Sequence, residues 1–272
     1  MKRLIIIFAI LLISQCIQGQ VIISPYVAYA DNKEKSTTVF VTNNSLSEQE
    51  IQMSLRFGHP VSDSFGNTVM EYPDSTIQNP HDITQYIKIF PKKFFLAPGE
   101  QQAVRLTIRL PFDKPAGTYW TRLVTTSRSK DNIENISDPQ FAKVKLVLSQ
   151  VTTLIYKNKK YENSFQIKEI THSINNDNLN LMTSCSIKGD PPFFTDVDIK
   201  VFDSGNNLVL EKQEYYSIYG DFNRKTTLDI ERLNPGEYCA EIRFQSNERK
   251  DIPQSDKPLK DPILKKVYFT VK

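Results

Sequence analysis

The sequence lacks the short motifs that mark the common catalytic and cofactor-binding sites. It contains no HExxH, CxxC, GxSxG, GxGxxG or phosphate-loop pattern. Histidine is scarce: His59, His81 and His172 are far apart in the chain, and no metal-type spacing surrounds any of them. Histidines distant in sequence can still meet in a fold. We nevertheless expect a protein that is not an enzyme and that uses no cofactor and no small-molecule substrate.

The chain also lacks a second long apolar run. Its one such run, Leu4–Ile13, follows two basic residues and is too short for a stable membrane span. We therefore predict a signal peptide over residues 1–19 and export of the mature chain. Cys16 raises the alternative of a lipid anchor, which we disfavour because Gln15 stands where a lipid-attachment site needs a small residue.

An excess of charge of one sign is missing too. Removal of the signal peptide takes away Lys2 and Arg3, so 34 basic residues become 32 against 31 acidic ones, a net charge of +1. Nucleic-acid binding needs a strongly basic surface, so we expect no nucleic-acid partner. A mature chain of about 250 residues is long enough for two domains.

Cysteine is as scarce as histidine. Only Cys185 and Cys239 remain after signal cleavage, and a pair of cysteines in an oxidising compartment favours a disulfide. Strand alternation opposes it, because Cys185 shares a face with apolar Leu181 whereas Cys239 shares a face with charged Glu241. One sulfur would point inward and the other outward, so the sequence leaves this disulfide open.

What the chain does have is apolar residues at every second position. In Ala103–Leu110, Val104, Leu106 and Ile108 alternate with arginine and threonine, which is typical of a half-buried antiparallel strand and not of a helix. Similar segments recur between turn-forming residues along the whole chain. We predict strands at Val21–Tyr29, Thr37–Asn43, Ile51–Gly58, Tyr86–Phe90, Phe94–Leu96, Ala103–Leu110, Gly117–Ser127, Phe141–Tyr156, Tyr161–His172, Leu179–Lys188, Thr195–Asp203, Leu208–Ser217, Arg224–Ile230, Gly236–Gln245 and Ile263–Val271.

Many short strands with almost no amphipathic helix predict an all-β protein of two β-sandwiches. We place the domains at residues 20–157 and 158–272, because a long strand ends there in the charged run Lys157–Lys160. The long loop Val61–Thr84 has room for a short irregular hairpin.

The longest predicted strand has the character of an edge that binds another protein. In Phe141–Tyr156, one face carries Ala142, Val144, Leu146 and Leu148, and lysines lie on the other. An unpaired strand edge can complete the sheet of a partner, with main-chain hydrogen bonds giving affinity and alternate side chains giving selectivity. The alternative is that this strand simply faces the core.

Five stretches of the first half resemble, in order, the periplasmic pilus-assembly chaperones of the PapD-like family. Tyr29–Ser45 resembles the first hairpin of that family and its Asn-rich turn. Phe90-Pro91 followed by Phe95–Leu106 resembles its Pro…L-x-P-G-x-x-Q-x-[VL]-R-[IL] signature, and Leu110–Asp113 resembles the following loop. Leu154–Lys157 resembles the basic end of the long strand. The resemblance covers roughly residues 21–157 and implies two immunoglobulin-like sandwiches in a PapD-like arrangement.

The resemblance also implies a function and a site, with one departure. The family holds the terminal carboxylate of its client with an arginine on the first strand and a lysine on the long strand, in the inter-domain cleft. The matching positions here are Val27 and Thr153, and neither can carry that charge. Arg122 and Lys157 are nearby cations in the sequence and are the candidates for a client carboxylate.

We therefore expect a non-catalytic periplasmic chaperone that caps exported β-rich subunits of pilus or adhesin type through the strand carrying Leu146 and Leu148. The missing carboxylate anchor favours an alternative, a structural or adaptor sandwich protein of an envelope adhesion or secretion complex. Either function predicts exported β-rich subunits or envelope assembly machinery as partners. An enzyme or a carbohydrate-binding module remains a third interpretation.

Overall fold

The computed structural model describes residues 21–74, 79–130, 147–159, 163–246, 259 and 261–272. The signal peptide, Cys16, and the residues Ala142, Val144 and Leu146 lie outside the described residues. No helix in the described part of the chain is long and apolar enough to cross a bilayer.

Apart from a 3-10 turn at Thr84–Tyr86, the described regular structure is all β. The strands of the first half are β1 (Val21–Ser24), β2 (Val27–Asp31), β3 (Ser36–Asn43), β4 (Gln49–Arg56), β5 (His59–Ser62), β6 (Thr68–Glu71), β7 (Ile87–Phe90), β8 (Lys93–Leu96), β9 (Gln101–Ile108), β10 (Gly117–Ser129) and β11 (Leu148–Asn158). Those of the second half are β12 (Asn163–Asn175), β13 (Asn178–Gly189), β14 (Phe193–Asp203), β15 (Leu208–Ile218), β16 (Phe222–Asp229), β17 (Gly236–Ser246) and β18 (Ile263–Val271). These bounds confirm the predicted all-β class.

The first compact unit is an immunoglobulin-like sandwich. One sheet has the strand order β1-β3-β9-β7 and the other has β2-β11-β10-β4-β8. Lettered along the chain, these are the A-B-E-D and A′-G-F-C orders of that fold, with β8 as a fifth strand beside strand C. Two chain segments pass from one sheet to the other at a proline, β1 to β2 at Pro25 and β7 to β8 at Pro91. Because proline has no N–H to donate to a ladder, each strand ends there.

Alternating burial explains how this unit closes. Val104, Leu106 and Ile108 are at most 1% exposed, whereas Arg105 is exposed, as the period-2 pattern predicts. Residues of both sheets form one apolar core, which comprises Val21, Ala28, Val39, Val41, Ile51, Met53, Leu96, Val104, Leu106, Leu123 and Leu154.

The second compact unit is also a sandwich with immunoglobulin-like strand order. Its sheets are β12-β13-β16 and β15-β14-β17-β18, corresponding to A-B-E and C′-C-F-G. Its core is rich in aromatic rings. The rings of Phe165 and Phe193, from opposite sheets, stack at a centroid distance of 4.5 Å.

The second unit takes up two segments from the first half of the chain. It comprises residues 57–81, 115–119 and 157–272, while the first unit comprises the remaining residues up to 156. Residues 57–81 include the antiparallel hairpin β5–β6, in which His59 pairs with Glu71 and Ser62 with Thr68. A short hairpin was predicted for Val61–Thr84, and the one found begins two residues earlier, at His59. The domain boundary at residue 157 stays a prediction.

The first F strand, β10, and the second, β17, each begin with a tyrosine corner, a feature of immunoglobulin-like sandwiches. The Tyr119 hydroxyl donates to the Pro115 carbonyl (2.9 Å), and the Tyr238 hydroxyl donates to the Asn234 carbonyl (2.7 Å). Both tyrosines lie two residues after a glycine that opens its strand, Gly117 or Gly236. The shared pattern Pro-(x)-Gly-x-Tyr is an internal repeat that strand alternation alone does not reveal.

The two cysteines do not form a disulfide in the structure. Cys185 is buried in β13 and Cys239 is half-buried in β17, and both are free thiols. The strands belong to opposite sheets. Cys185 packs in the core, while Cys239 lies beside Phe202 and Tyr268 on the other face of its strand. The sequence left the Cys185–Cys239 disulfide undecided, and the structure does not contain it. As strand alternation indicated, one thiol lies in the core and the other on the opposite face of its strand.

Candidate functional site

The candidate site is the first part of β11. In the order β2-β11-β10-β4-β8, β11 lies between a five-residue strand, β2, and the long strand β10. Five residues of β2 cannot flank all eleven residues of β11. Among the described residues, part of the outer side of β11 therefore has no strand beside it.

Burial locates that open part at the start of β11. Residues 152–156 are all buried, and the charge of Asp31, the last residue of β2, raises the pKa of Tyr156 after the larger effect of burial. Residues 148–151 are half-buried or exposed. Val147, directly before the strand, is 56% exposed and Val151 is 38% exposed. Within the described residues, the accessible edge thus runs from Val147 to Val151, and we call this segment the β11 edge.

The side chains of the β11 edge alternate. Val147, Ser149 and Val151 share the outward face, while Leu148 and Gln150 share the parity of buried Leu154. Leu148 is half-buried on that inward face. The Gln150 side chain donates to the Val21 carbonyl at 2.7 Å and so joins this edge to the start of the opposite sheet. Presentation of the 142–148 face to a client stays a prediction.

Arg122 lies next to the position that the resemblance assigns to a basic residue. It is 6% exposed on β10, and its guanidinium donates to the Thr153 hydroxyl of β11. Val27, the other position of the family pair, is a buried residue of β2. The strand register sets Arg56 of β4 directly opposite Arg122. This register places two arginines in opposite cross-strand positions, and guanidinium groups are suited to hold a carboxylate.

Arg56 is the residue that the sequence interpretation missed. Its relation to Arg122 depends on the pairing of β4 with β10, and no motif announces that register. Lys157, the second predicted cation, is half-buried near the end of β11. No described contact places it beside Arg122.

A cluster of ion pairs borders the β11 edge on the same face of the sheet. The Glu50 carboxylate, 5% exposed, contacts Lys93 at 2.7 Å and Arg128 at 2.5 Å. Hydrogen bonds from Arg128 and then from Lys93 lower the pKa of Glu50 to about 2. Glu50, Arg128 and Val147 line a shallow hollow of about 140 Å³. The cluster carries one net positive charge beside an apolar edge residue.

The three histidines each have their own contacts. His81 Nδ1 lies 2.8 Å from the Thr118 carbonyl oxygen, His59 Nε2 lies 3.7 Å from Glu71 Oε2, and the His172 ring packs near Phe269. In the described residues, no group of three histidine, cysteine, aspartate or glutamate side chains could hold a metal ion.

Comparison with known proteins gives structural neighbours only. No family model matches the chain, and no curated protein matches it. A chain of the chaperone–tip adhesion subunit complex of the archaic Csu pili of Acinetobacter baumannii is 12% identical, with a TM-score of 0.45, over 90% of this chain and 98% of that one.

Two further solved structures show the same range of similarity. The Salmonella enterica SafA pilin in complex with the SafB chaperone gives 12% identity and a TM-score of 0.40, over 91% of this chain and 96% of the other. The Pseudomonas aeruginosa CupB2 chaperone gives 10% identity and a TM-score of 0.41, over 90% of this chain and 98% of the other.

Proposed function

We propose that the protein is a non-catalytic periplasmic chaperone that holds an exported, β-rich subunit at the β11 edge. The observation that carries the proposal is the accessible start of β11, where Val147 and Val151 are exposed on an incompletely flanked strand. A subunit whose own sheet lacks a strand can pair with such an edge through its backbone groups. The outward valines then enter apolar positions of the client and fix the register.

Release of the client needs no nucleotide in this scheme. The subunit exchanges its pairing with the β11 edge for a better pairing with a neighbouring subunit, and the difference between the two pairings drives assembly.

The test is capture of partners from the native envelope by the tagged mature protein, with mass spectrometry of what co-elutes. Val147→Arg and Val151→Arg would be introduced together, and Leu208→Arg would serve as the control because Leu208 is 48% exposed on β15. We expect the wild type and the control to recover a small exported β-rich subunit. The edge variant should lose that subunit at least about tenfold while its unfolding midpoint stays unchanged.

Two outcomes would contradict the proposal. One is a fall of the unfolding midpoint in step with lost capture, which would make the valines part of the core. The other is recovery of large envelope components that survive the edge substitutions. That second outcome would support the alternative of a structural or adaptor protein.

We also propose that Arg122, assisted by Thr153 and Arg56, replaces the missing cation pair in holding a client carboxylate. Two features support this proposal. The guanidinium of Arg122 is buried beside the Thr153 hydroxyl, and Arg56 lies opposite Arg122 in the strand register. Arginine suits this role because its planar fork can hold a carboxylate through two parallel hydrogen bonds.

Arg122→Lys keeps the charge and removes the fork, whereas Arg56→Gln removes the neighbouring charge. We expect each to weaken binding of a captured subunit with a free C-terminal carboxylate by several-fold or more. Neither should change binding of the same subunit made as its C-terminal amide. Equal losses for both forms would show that the arginines act on folding and not on the carboxylate.

A further inference from the structure

The outer edge of β16 is closed by groups from elsewhere in the second unit. β16 is the terminal strand of the sheet β12-β13-β16 and has only β13 beside it in that sheet. In an antiparallel strand the N–H and C=O of one residue point to the same side, and successive residues alternate sides. Asn223, Lys225 and Thr227 form backbone hydrogen bonds to groups outside the sheet, so their N–H and C=O groups point away from β13.

The hairpin β5–β6 supplies the partners of two of these positions. The Asn223 N–H donates to the Ser62 hydroxyl at 2.7 Å, and the Lys225 N–H donates to the Gly66 carbonyl at 2.8 Å. At the third position, the Thr227 carbonyl accepts a hydrogen bond from the ammonium group of Lys212, at 2.9 Å.

The turn of the hairpin is shaped for this contact. The Asp63 carboxylate accepts hydrogen bonds from the Phe65 and Asn67 amides, which holds the five-residue turn rigid. Gly66 has φ +77°, and a Cβ atom there would lie 2.7 Å from Met182 Sδ and 2.9 Å from the Lys225 nitrogen. Only glycine therefore permits the turn to approach β16 this closely.

A side-chain bond continues the contact beyond the turn. Arg224 Nη1 donates to the Thr68 hydroxyl at 3.1 Å. The hairpin thus binds three consecutive residues of β16, two through their backbone and one through its side chain. Pairing of another strand with this edge is blocked while the hairpin is in place, because the Asn223 and Lys225 N–H groups are already used.

We propose that the hairpin β5–β6 is an edge cap, and that β16, once uncapped, pairs with the same edge of a second copy of this chain. A two-fold register about Thr226 would set Lys225 opposite Thr227 and Asn223 opposite Asp229, so that no like charges oppose each other. An isologous pairing of this kind closes as a dimer. The partner we infer is a second copy, because this self-pairing register places no like charges opposite each other.

The test compares two glycine substitutions in the full mature protein. Gly66→Ala and Gly99→Ala introduce the same strain, since Gly99 has φ +76°, but an added Cβ at Gly99 meets nothing within 4 Å. We expect Gly66→Ala to speed amide hydrogen exchange at Asn223 and Lys225 by at least about tenfold and to produce a concentration-dependent dimer in sedimentation. Gly99→Ala should remain a monomer with wild-type exchange at both amides.

A second variant keeps the proposal testable if Gly66→Ala fails to fold. Ser62→Ala removes the acceptor of the Asn223 amide and leaves the Gly66 carbonyl in place. Exchange should rise at Asn223 while Lys225 stays protected. Unchanged exchange at Asn223 in folded Ser62→Ala, or at both amides in folded Gly66→Ala, would overturn the edge cap. An uncapped Gly66→Ala protein that stays monomeric at all concentrations would overturn pairing with a second copy.

Discussion

The tyrosine corners allow a stability prediction with a built-in comparison. Tyr238→Phe removes the hydroxyl that donates to the Asn234 carbonyl at 2.7 Å, and it leaves the ring stacked on Phe269 at 5.6 Å. Asn234 is exposed, so its carbonyl can bind water after the substitution. The cost is therefore that of an ordinary hydrogen bond, about 1 kcal/mol, and not the larger penalty of a buried group left unsatisfied.

The assay is urea unfolding of the mature protein at neutral pH. About 1 kcal/mol lowers the unfolding midpoint temperature of a chain of this size by roughly 2–4 °C, so a thermal scan gives an independent reading. Tyr268→Phe is the control, because Tyr268 is 70% exposed and should change stability by less than about 0.5 kcal/mol.

Tyr119→Phe extends the same prediction to the first strand F. It removes the matching 2.9 Å bond to the Pro115 carbonyl, and Pro115 is also exposed. The two corners share no partner, so their costs should add in the double variant. If Tyr238→Phe and Tyr268→Phe destabilise equally, the corner hydroxyl contributes nothing and the reasoning fails.

Three further predictions follow from burial and charge. The pKa of Glu50 is lowered from 4.5 to about 2 in the folded state, so the ionised carboxylate stabilises the wild type above pH 4.5 and this stabilisation is lost as the pH falls toward about 2. Glu50→Gln should remove this contribution. Acid titration of both proteins, followed by circular dichroism, checks this. Leu154→Ala should cost about 2–5 kcal/mol in urea unfolding, and Val151→Ala less than about 1 kcal/mol, because only Leu154 is fully buried. Cys239 should react with an aromatic disulfide reagent while Cys185 does not, because burial raises the pKa of Cys185 to about 12; mass spectrometry of the labelled protein decides.

The sequence predicts the strands well because burial follows alternation in most of them. Where a residue type overrides alternation, the prediction fails. Val21–Tyr29 was predicted as one strand, but Pro25 ends β1 and the chain resumes as β2 in the other sheet. At the start of β10 both Tyr119 and Trp120 are buried, although a period-2 strand with one solvated face cannot bury both.

The candidate site shows where sequence information ends. The exposed valines, Val147 and Val151, lie on the face opposite to the predicted Leu148. Which residues of the strand are flanked by β2 depends on strand lengths fixed in three dimensions. The contact of Arg122 with Thr153 depends on the register between β10 and β11, which no local motif specifies. The family resemblance drew attention to Arg122 and Thr153, but it did not indicate that their side chains are in contact.

The edge cap sets an order of events during synthesis. The hydrogen bond between Ser62 and Asn223 joins residues 161 positions apart. At ribosomal rates of about 5–20 residues per second, the hairpin is complete roughly 10–30 s before the strand it covers has been made. During that interval the hairpin has no β16 to bind. The second sandwich is complete only when this earlier-synthesised segment packs against β16.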